Sequence, residues 1–108
     1  MAVSMLKRIP VVGSLGYVER IRRLPAAFTA ALVAEPGNRY FRHAIAVLAS
    51  GEKVGYVAPE VAIRYFAALA GAPSPVSCPA RRASRSDHES SGVELLLDFT
   101  GLPVQPAE

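Results

Sequence analysis

The stretch from Glu35 to Val57 constrains the fold more than any other part of the chain. Pro36-Gly37 imposes a turn. His43 to Ala49 and Lys53 to Val57 read as two strands. Ser50-Gly51-Glu52 between them is short enough for a hairpin. The loop ahead of the first strand gathers Asn38, Arg39, Tyr40, Phe41 and Arg42. Aromatic and basic side chains at the mouth of a β-structure suit a nucleic-acid surface, where rings stack on bases and arginine pairs with phosphate.

The rest of the chain is read outward from that hairpin. Pro10 to Tyr17 alternates, with Val11, Gly13, Leu15 and Tyr17 on one face, and predicts a strand. Glu19 to Arg23 is a charged turn carrying Arg20, Arg22 and Arg23. Pro25 to Ala34 fits two readings: its alanines favour helix, while Phe28, Ala30, Leu32 and Ala34 fit one face of a strand. Pro59 opens a helix where its missing N–H costs nothing. Val61, Ala62, Tyr65, Phe66 and Leu69 form the apolar face of that helix, and Gly71 caps it ahead of Pro73. Val76 to Ala83 predicts an edge strand, because Pro79 cannot donate in a central one. Ser84 to Ser91 is a polar loop and the expected flexible part. Gly92 to Phe99 predicts a strand with Val93, Leu95, Leu97 and Phe99 on one face. Residues 1–9 and 101–108 are expected to be short tails around a single domain at 10–100, the second of them frayed. Short strands with one clear helix in so small a unit predict a compact β-barrel with a capping helix.

Composition narrows the function classes. A chain of 108 residues, 51% of them hydrophobic, is one domain with a real but small core. The lone Cys78 excludes an internal disulfide, and with only His43 and His88 beside it no metal site is expected. A reducing, cytoplasmic setting is consistent with that cysteine usage. The longest apolar run, Leu24 to Ala34, is about half of the roughly 20 residues that a bilayer needs, and Pro25 interrupts it; no membrane association is expected. Lys7 and Arg8 are not followed by a long apolar stretch, so no signal peptide is expected. Net charge is +3, and ten of the twelve basic residues are arginine. That excess reflects either an anionic partner or a bias toward Ala and Arg.

The combined pattern resembles the HIRAN domain. That family shows Val-Gly near its start, then Glu-Pro-x-Asn-x-Tyr-Asp-x-Asn-Ala-Ile-x-Val, then Gly-x-x-Val-Gly-Tyr-Val-Pro and a helix. Here stand Val12-Gly13, Glu35-Pro36, Asn38, Tyr40, Ala44-Ile45, Val47, Gly51, Val54-Gly55-Tyr56-Val57 and the helix from Pro59. The resemblance covers Pro10 to Leu69 by motif and Val76 to Phe99 by strand pattern. It implies a mainly β fold, a six-stranded OB-like β-barrel with one or two short helices, and a strand for the alanine-rich segment before Glu35. It implies a small stand-alone module that binds single-stranded DNA, with no cofactor, in a setting of DNA repair or processing. In eukaryotic relatives the domain is fused to helicase-like remodelling ATPases and grips a single-stranded 3′ end. No phosphate-cradling Gly-rich loop with Lys-Ser or Lys-Thr is present, so the motor's activity does not transfer.

The resemblance also assigns residues. Tyr40 occupies the base-stacking position; otherwise it packs on the barrel and closes the loop. Asn38 matches a position near DNA, and equally starts a turn by bonding the backbone two residues on. Tyr56 corresponds to a position at the groove, or is a core aromatic with its hydroxyl at the rim. Tyr17 lies near an aromatic position of the first strand. The acidic residue that would recognise a 3′ hydroxyl is Phe41 here, and the expected Asn is His43. Phe41 cannot accept a hydrogen bond, and it either offers a second stacking face or turns inward. Arg39 and Arg42 around these rings make a cationic stacking surface for a single strand, or a solvated loop. Arg20, Arg22 and Arg23 are further candidates for phosphate. Arg81, Arg82 and Arg85 either extend that surface or guard an edge strand. His43 with Ser84 and Asp87 or Glu89 has no catalytic spacing, and no nucleophile elbow is present, so no enzymatic activity is expected. The alternative function is a protein-interaction module that docks a partner, such as a DNA-processing enzyme, through the edge strand or the aromatic loop.

Overall fold

The computed structural model describes residues 6–73, 75–83 and 95–107. Its strands are β1 (Ile9–Val12), β2 (Ala27–Glu35), β3 (Ala44–Ala49), β4 (Glu52–Val57), β5 (Val76–Arg82) and β6 (Leu95–Leu97). They close into one antiparallel barrel in the order β1-β4-β3-β2-β5-β6, with β6 pairing back onto β1. Among the described residues two helices accompany it, α1 (Val18–Arg22) and α2 (Pro59–Ala70). The fold is therefore mainly β, a closed six-stranded barrel with two short helices, as the sequence implies.

The hairpin forms as expected. Ser50 and Gly51 both have positive φ, 52° and 80°, the requirement of the two-residue turn whose twist matches that of its strands. The alanine-rich segment is strand β2, paired on both sides, with β3 and with β5. Ala30 and Leu32 point into the barrel, and this tertiary pairing overrides the helix preference of alanine. The helix after Pro59 lies against β2 and β3. Ala62, Tyr65 and Leu69 are buried in that interface, while Val61 and Phe66 are partly buried. Its C-cap is Gly71, in right-handed rather than left-handed geometry.

Three expectations are corrected. The first strand ends at Val12 rather than Tyr17; the chain turns at Gly13 and runs through a 3-10 turn at Ser14–Tyr17. The alternation that suggested a longer strand breaks at Leu15, which is 87% exposed, while Tyr17 packs on the core from the 3-10 turn. Glu19–Arg23 is not a bare turn: Val18–Arg22 is helical, anchored by buried Ile21. Val76–Ala83 is not an edge, because β5 pairs with β2 and β6. Pro79 is tolerated inside this strand because its carbonyl faces the end of β6, accepting from Asp98 N–H at 2.9 Å. The paired register stops at Leu97, so the donor that proline lacks falls at the end of the ladder and not within it.

Chain on both sides of residues 10–100 joins the fold. Ile9 is buried in β1, and Leu6, Leu102 and Val104 pack on the core. Ala107 N–H donates to the Arg64 carbonyl of α2. Leu95, Leu97 and Phe99 are buried as expected; Val93, Arg85 and the 84–91 loop lie outside the described residues. No described helix is long and apolar enough to cross a membrane.

Candidate nucleic-acid interface

At one end of the barrel, where β1 and β4 finish and the chain leaves β2, lies an open cleft of about 550 Å³. Tyr17, Asn38, Arg39, Tyr40, Phe41 and Tyr56 line it, over a floor that includes Val12 and Val57. These residues come from the 3-10 turn, the loop after β2, and the last turn of β4. The closed barrel fixes the distance between those elements, because Val12 pairs with Tyr56 and Ala46 pairs with Tyr56 from the other side.

A β-bulge sets the wall around Tyr56. Val47 pairs with Gly55 but Leu48 pairs with Lys53, so Val54 is an extra residue in β4. Ordinary alternation would put Lys53 and Tyr56 on opposite faces. The bulge brings them to the same face, and Lys53 Nζ donates to Tyr56 Oη at 2.8 Å. Lys53 Nζ also reaches Glu35 Oε2 at 2.6 Å, and Tyr56 Oη donates to Glu35 Oε1 at 2.9 Å. The Lys53 ammonium lies 4.9 Å from the Tyr56 ring centroid. The Tyr56 ring is thus held by both ends of a salt bridge between β2 and β4.

The loop is built around Asn38. Its Oδ1 accepts from Tyr40 N–H at 2.8 Å and Phe41 N–H at 3.0 Å, and its Nδ2 donates to Glu35 Oε1 at 3.2 Å. Both ends of the amide serve the loop's own geometry, which is the turn role. That geometry sends the two aromatics apart. Tyr40 projects outward, 89% exposed. Phe41 is half-buried, packed on the core and edge-on to His43 at 5.7 Å. His43 in turn stands edge-on to Phe66 at 5.3 Å. Phe41 therefore turns largely inward while lining the cleft.

The cations divide in the same way. Arg39 is exposed and lines the cleft; Arg42 is exposed beside it but outside the lining. Arg20 donates from Nη1 to the Lys53 carbonyl at 2.7 Å and lies over the Tyr17 ring. Arg22 pairs with Glu19 on the surface, and Arg23 is exposed. Arg82 bonds the Leu24 carbonyl. Arg81 lines a different groove, with Lys7, Arg8 and Asp98.

Burial works to raise the Glu35 carboxyl, but hydrogen bonds from Lys53, Asn38 and Tyr56 and the Lys53 charge outweigh it and hold its pKa below the ordinary value. The Lys53 ammonium is pushed above its ordinary value, first by the hydrogen bond to Glu35 and then by that to Tyr56. Both groups are charged at neutral pH and neutralise each other, so the cleft's net positive character comes from arginine. Glu35 and Lys53 were not assigned to the site from sequence. Glu35 and Lys53 stand 18 positions apart, and only the bulge brings the ammonium to the Tyr56 side. The cleft offers aromatic faces and guanidinium groups, the chemistry of stacking and phosphate contact.

No family model, no curated protein and no solved structure matches this chain.

Proposed function

We propose that this protein is a non-enzymatic, HIRAN-type module that binds single-stranded DNA in the cleft between Tyr17, Tyr40 and Tyr56. The observation that carries this reading is convergence: Tyr17, Asn38, Arg39, Tyr40, Phe41 and Tyr56, each singled out from sequence, line one cleft. Tyr40 offers a free face for a base, Tyr56 and Tyr17 form the walls, and Arg39 and Arg42 meet the backbone. Stacking on aromatic faces accepts any base, so little sequence preference is expected. With Phe41 in place of a carboxylate and turned inward, the site lacks an acceptor there for a terminal 3′ hydroxyl. Internal and terminal segments of a strand should bind alike.

Fluorescence anisotropy with a labelled oligothymidine, at about 50 and about 200 mM salt, tests the reading. Binding that weakens with salt is expected. Absence of binding at the lower salt overturns it. Capping the 3′ end with phosphate should leave the affinity within about twofold, and a large loss would return end recognition to the site.

A second reading, a protein-docking surface, draws on Tyr40, an aromatic side chain 89% exposed at the rim of the cleft, since aromatic residues are enriched at protein interfaces. Docking by strand addition at β5 lacks the free edge it needs, as both sides of β5 are paired. If a partner binds through the loop, it should survive Arg39→Ala with Arg42→Ala while DNA binding is lost.

A further inference from the structure

α1 has five residues, too few to be stable alone, yet it carries the wall of the cleft that holds Tyr17. Arg20 ties this helix to the barrel. Its Nη1 donates to the Lys53 carbonyl at 2.7 Å, and its guanidinium carbon lies 5.3 Å from the Tyr17 ring centroid. Lys53 sits beside the bulge, where the β3–β4 ladder is interrupted, so Arg20 supplies a donor at a point where strand pairing is irregular. The same Lys53 holds Tyr56 and Glu35 through its ammonium. Glu35 holds Asn38, and Asn38 holds the backbone of Tyr40 and Phe41. One unbroken set of contacts therefore runs from Tyr17 through Arg20 and Lys53 to every other aromatic residue of the cleft.

We propose that Arg20 is a positioning residue for this cleft rather than a phosphate contact: it sets Tyr17 against the Lys53–Tyr56 wall before any ligand arrives. This inference rests on the nucleic-acid reading above. It removes Arg20 from the candidates for phosphate contact, a role the proposed function gives to Arg39 and Arg42. A planar guanidinium can stack flat on a ring while one N–H reaches a carbonyl, so lysine is not an equivalent replacement at such a stacked site. Holding the rings in place before binding lowers the ordering cost on association.

The salt dependence of binding separates the two roles, because each phosphate neutralised on a single strand contributes a slope of about 0.7 in log K against log salt. The intact protein, Arg20→Met, Arg20→Lys and Arg39→Ala are titrated with oligothymidine across a salt series, with thermal unfolding recorded for each. Tyrosine ring proton resonances of the free proteins are compared by NMR. Arg20→Met is expected to weaken binding about tenfold, within the range that losing one stacked base covers, at an unchanged slope. Arg39→Ala lowers the slope by about 0.7. Arg20→Lys stays close to Arg20→Met, and the Tyr17 resonances shift in both Arg20 variants without DNA. A slope lowered by about 0.7 in Arg20→Met, or full recovery in Arg20→Lys, overturns the inference by making Arg20 a phosphate contact. If Arg20→Met unfolds, Arg20→Lys alone carries the comparison. If the intact protein binds no DNA, the functional reading fails; unshifted Tyr17 resonances would separately overturn the placement of Arg20.

Discussion

Gly55 and Val11 approach so closely that a methyl group on Gly55 would lie 2.5 Å from Val11 Cγ1 and 2.8 Å from the Val12 carbonyl oxygen. The antiparallel pairing of β1 with β4 at this point sets Val12 beside Tyr56 and so shapes the cleft floor. Gly55 also has φ of 154°. Gly55→Ala is expected to cost about 3 kcal/mol or more, overpacking and backbone strain acting together. Gly51→Ala is the control: its φ is 80°, with open space around the new methyl, so only the backbone term of about 1 kcal/mol applies. Chemical denaturation of the two variants should show that difference in midpoint.

Tyr40 supports almost nothing in the fold. Its ring is 89% exposed, and its backbone N–H, which bonds Asn38, survives substitution. Tyr40→Ala should leave the unfolding temperature unchanged and weaken single-stranded DNA binding by about 1–3 kcal/mol. A variant that keeps full affinity would remove the stacking role from this residue.

Tyr56 differs, because its hydroxyl and its ring do separate work. Tyr56→Phe removes one of the two partners of Glu35 Oε1 and one of the two of Lys53 Nζ, at a stability cost of about 1 kcal/mol. The ring face remains, so DNA affinity should change little. Tyr56→Ala should lose both, and comparing melting with binding across the pair separates the contributions.

The Glu35–Lys53 pair predicts a defined pH response. The folded Glu35 carboxyl lies below its ordinary 4.5, so its contribution is present above that pH and is lost as pH falls through the folded value. The folded Lys53 lies above its ordinary 10.5, so its contribution is present below 10.5 and fades as pH rises beyond it. Stability of the intact protein relative to Glu35→Gln should therefore be constant above about pH 6 and shrink progressively as pH falls below the ordinary 4.5. Thermal melts of both proteins across that range measure it, and a constant difference would show that the charge on Glu35 is not what the network uses.

Buried Cys78 lies in β5, and burial pushes its thiol up to about 12 against a lowering hydrogen bond from the Asp98 backbone. At about pH 8 the native protein should resist a thiol reagent that needs the thiolate, and react promptly once denatured. Rapid native reaction would mean that β5 opens.

Local rules reached some of this architecture and missed the rest for identifiable reasons. The Ser50-Gly51 turn, the start of α2 at Pro59 and the exposed Tyr40 follow from chemistry within a few residues of each. β2 was ambiguous because alanine fits a helix face and a barrel interior equally well; the decision came from two neighbouring strands. Pro79 suggested an edge because the sequence does not show where β6 stops. The Glu35–Lys53–Tyr56 contacts were hidden by the bulge at Val54, since spacing alone puts Lys53 and Tyr56 on opposite faces. The part of the site that touches solvent was legible, while the part that holds it in place depends on strand register.

Closure of β6 onto β1 brings distant parts of the chain together: Phe99 N–H donates to the Leu6 carbonyl at 2.8 Å. Entry to and exit from the barrel are therefore neighbours, at the opposite end of β1 from the cleft. A circular permutant, spliced across Leu6 and Phe99 and opened at Ser50-Gly51, would preserve all the strand pairings. By the same geometry, a host protein could carry the whole barrel as an insertion in a surface loop, with the cleft facing away from the host.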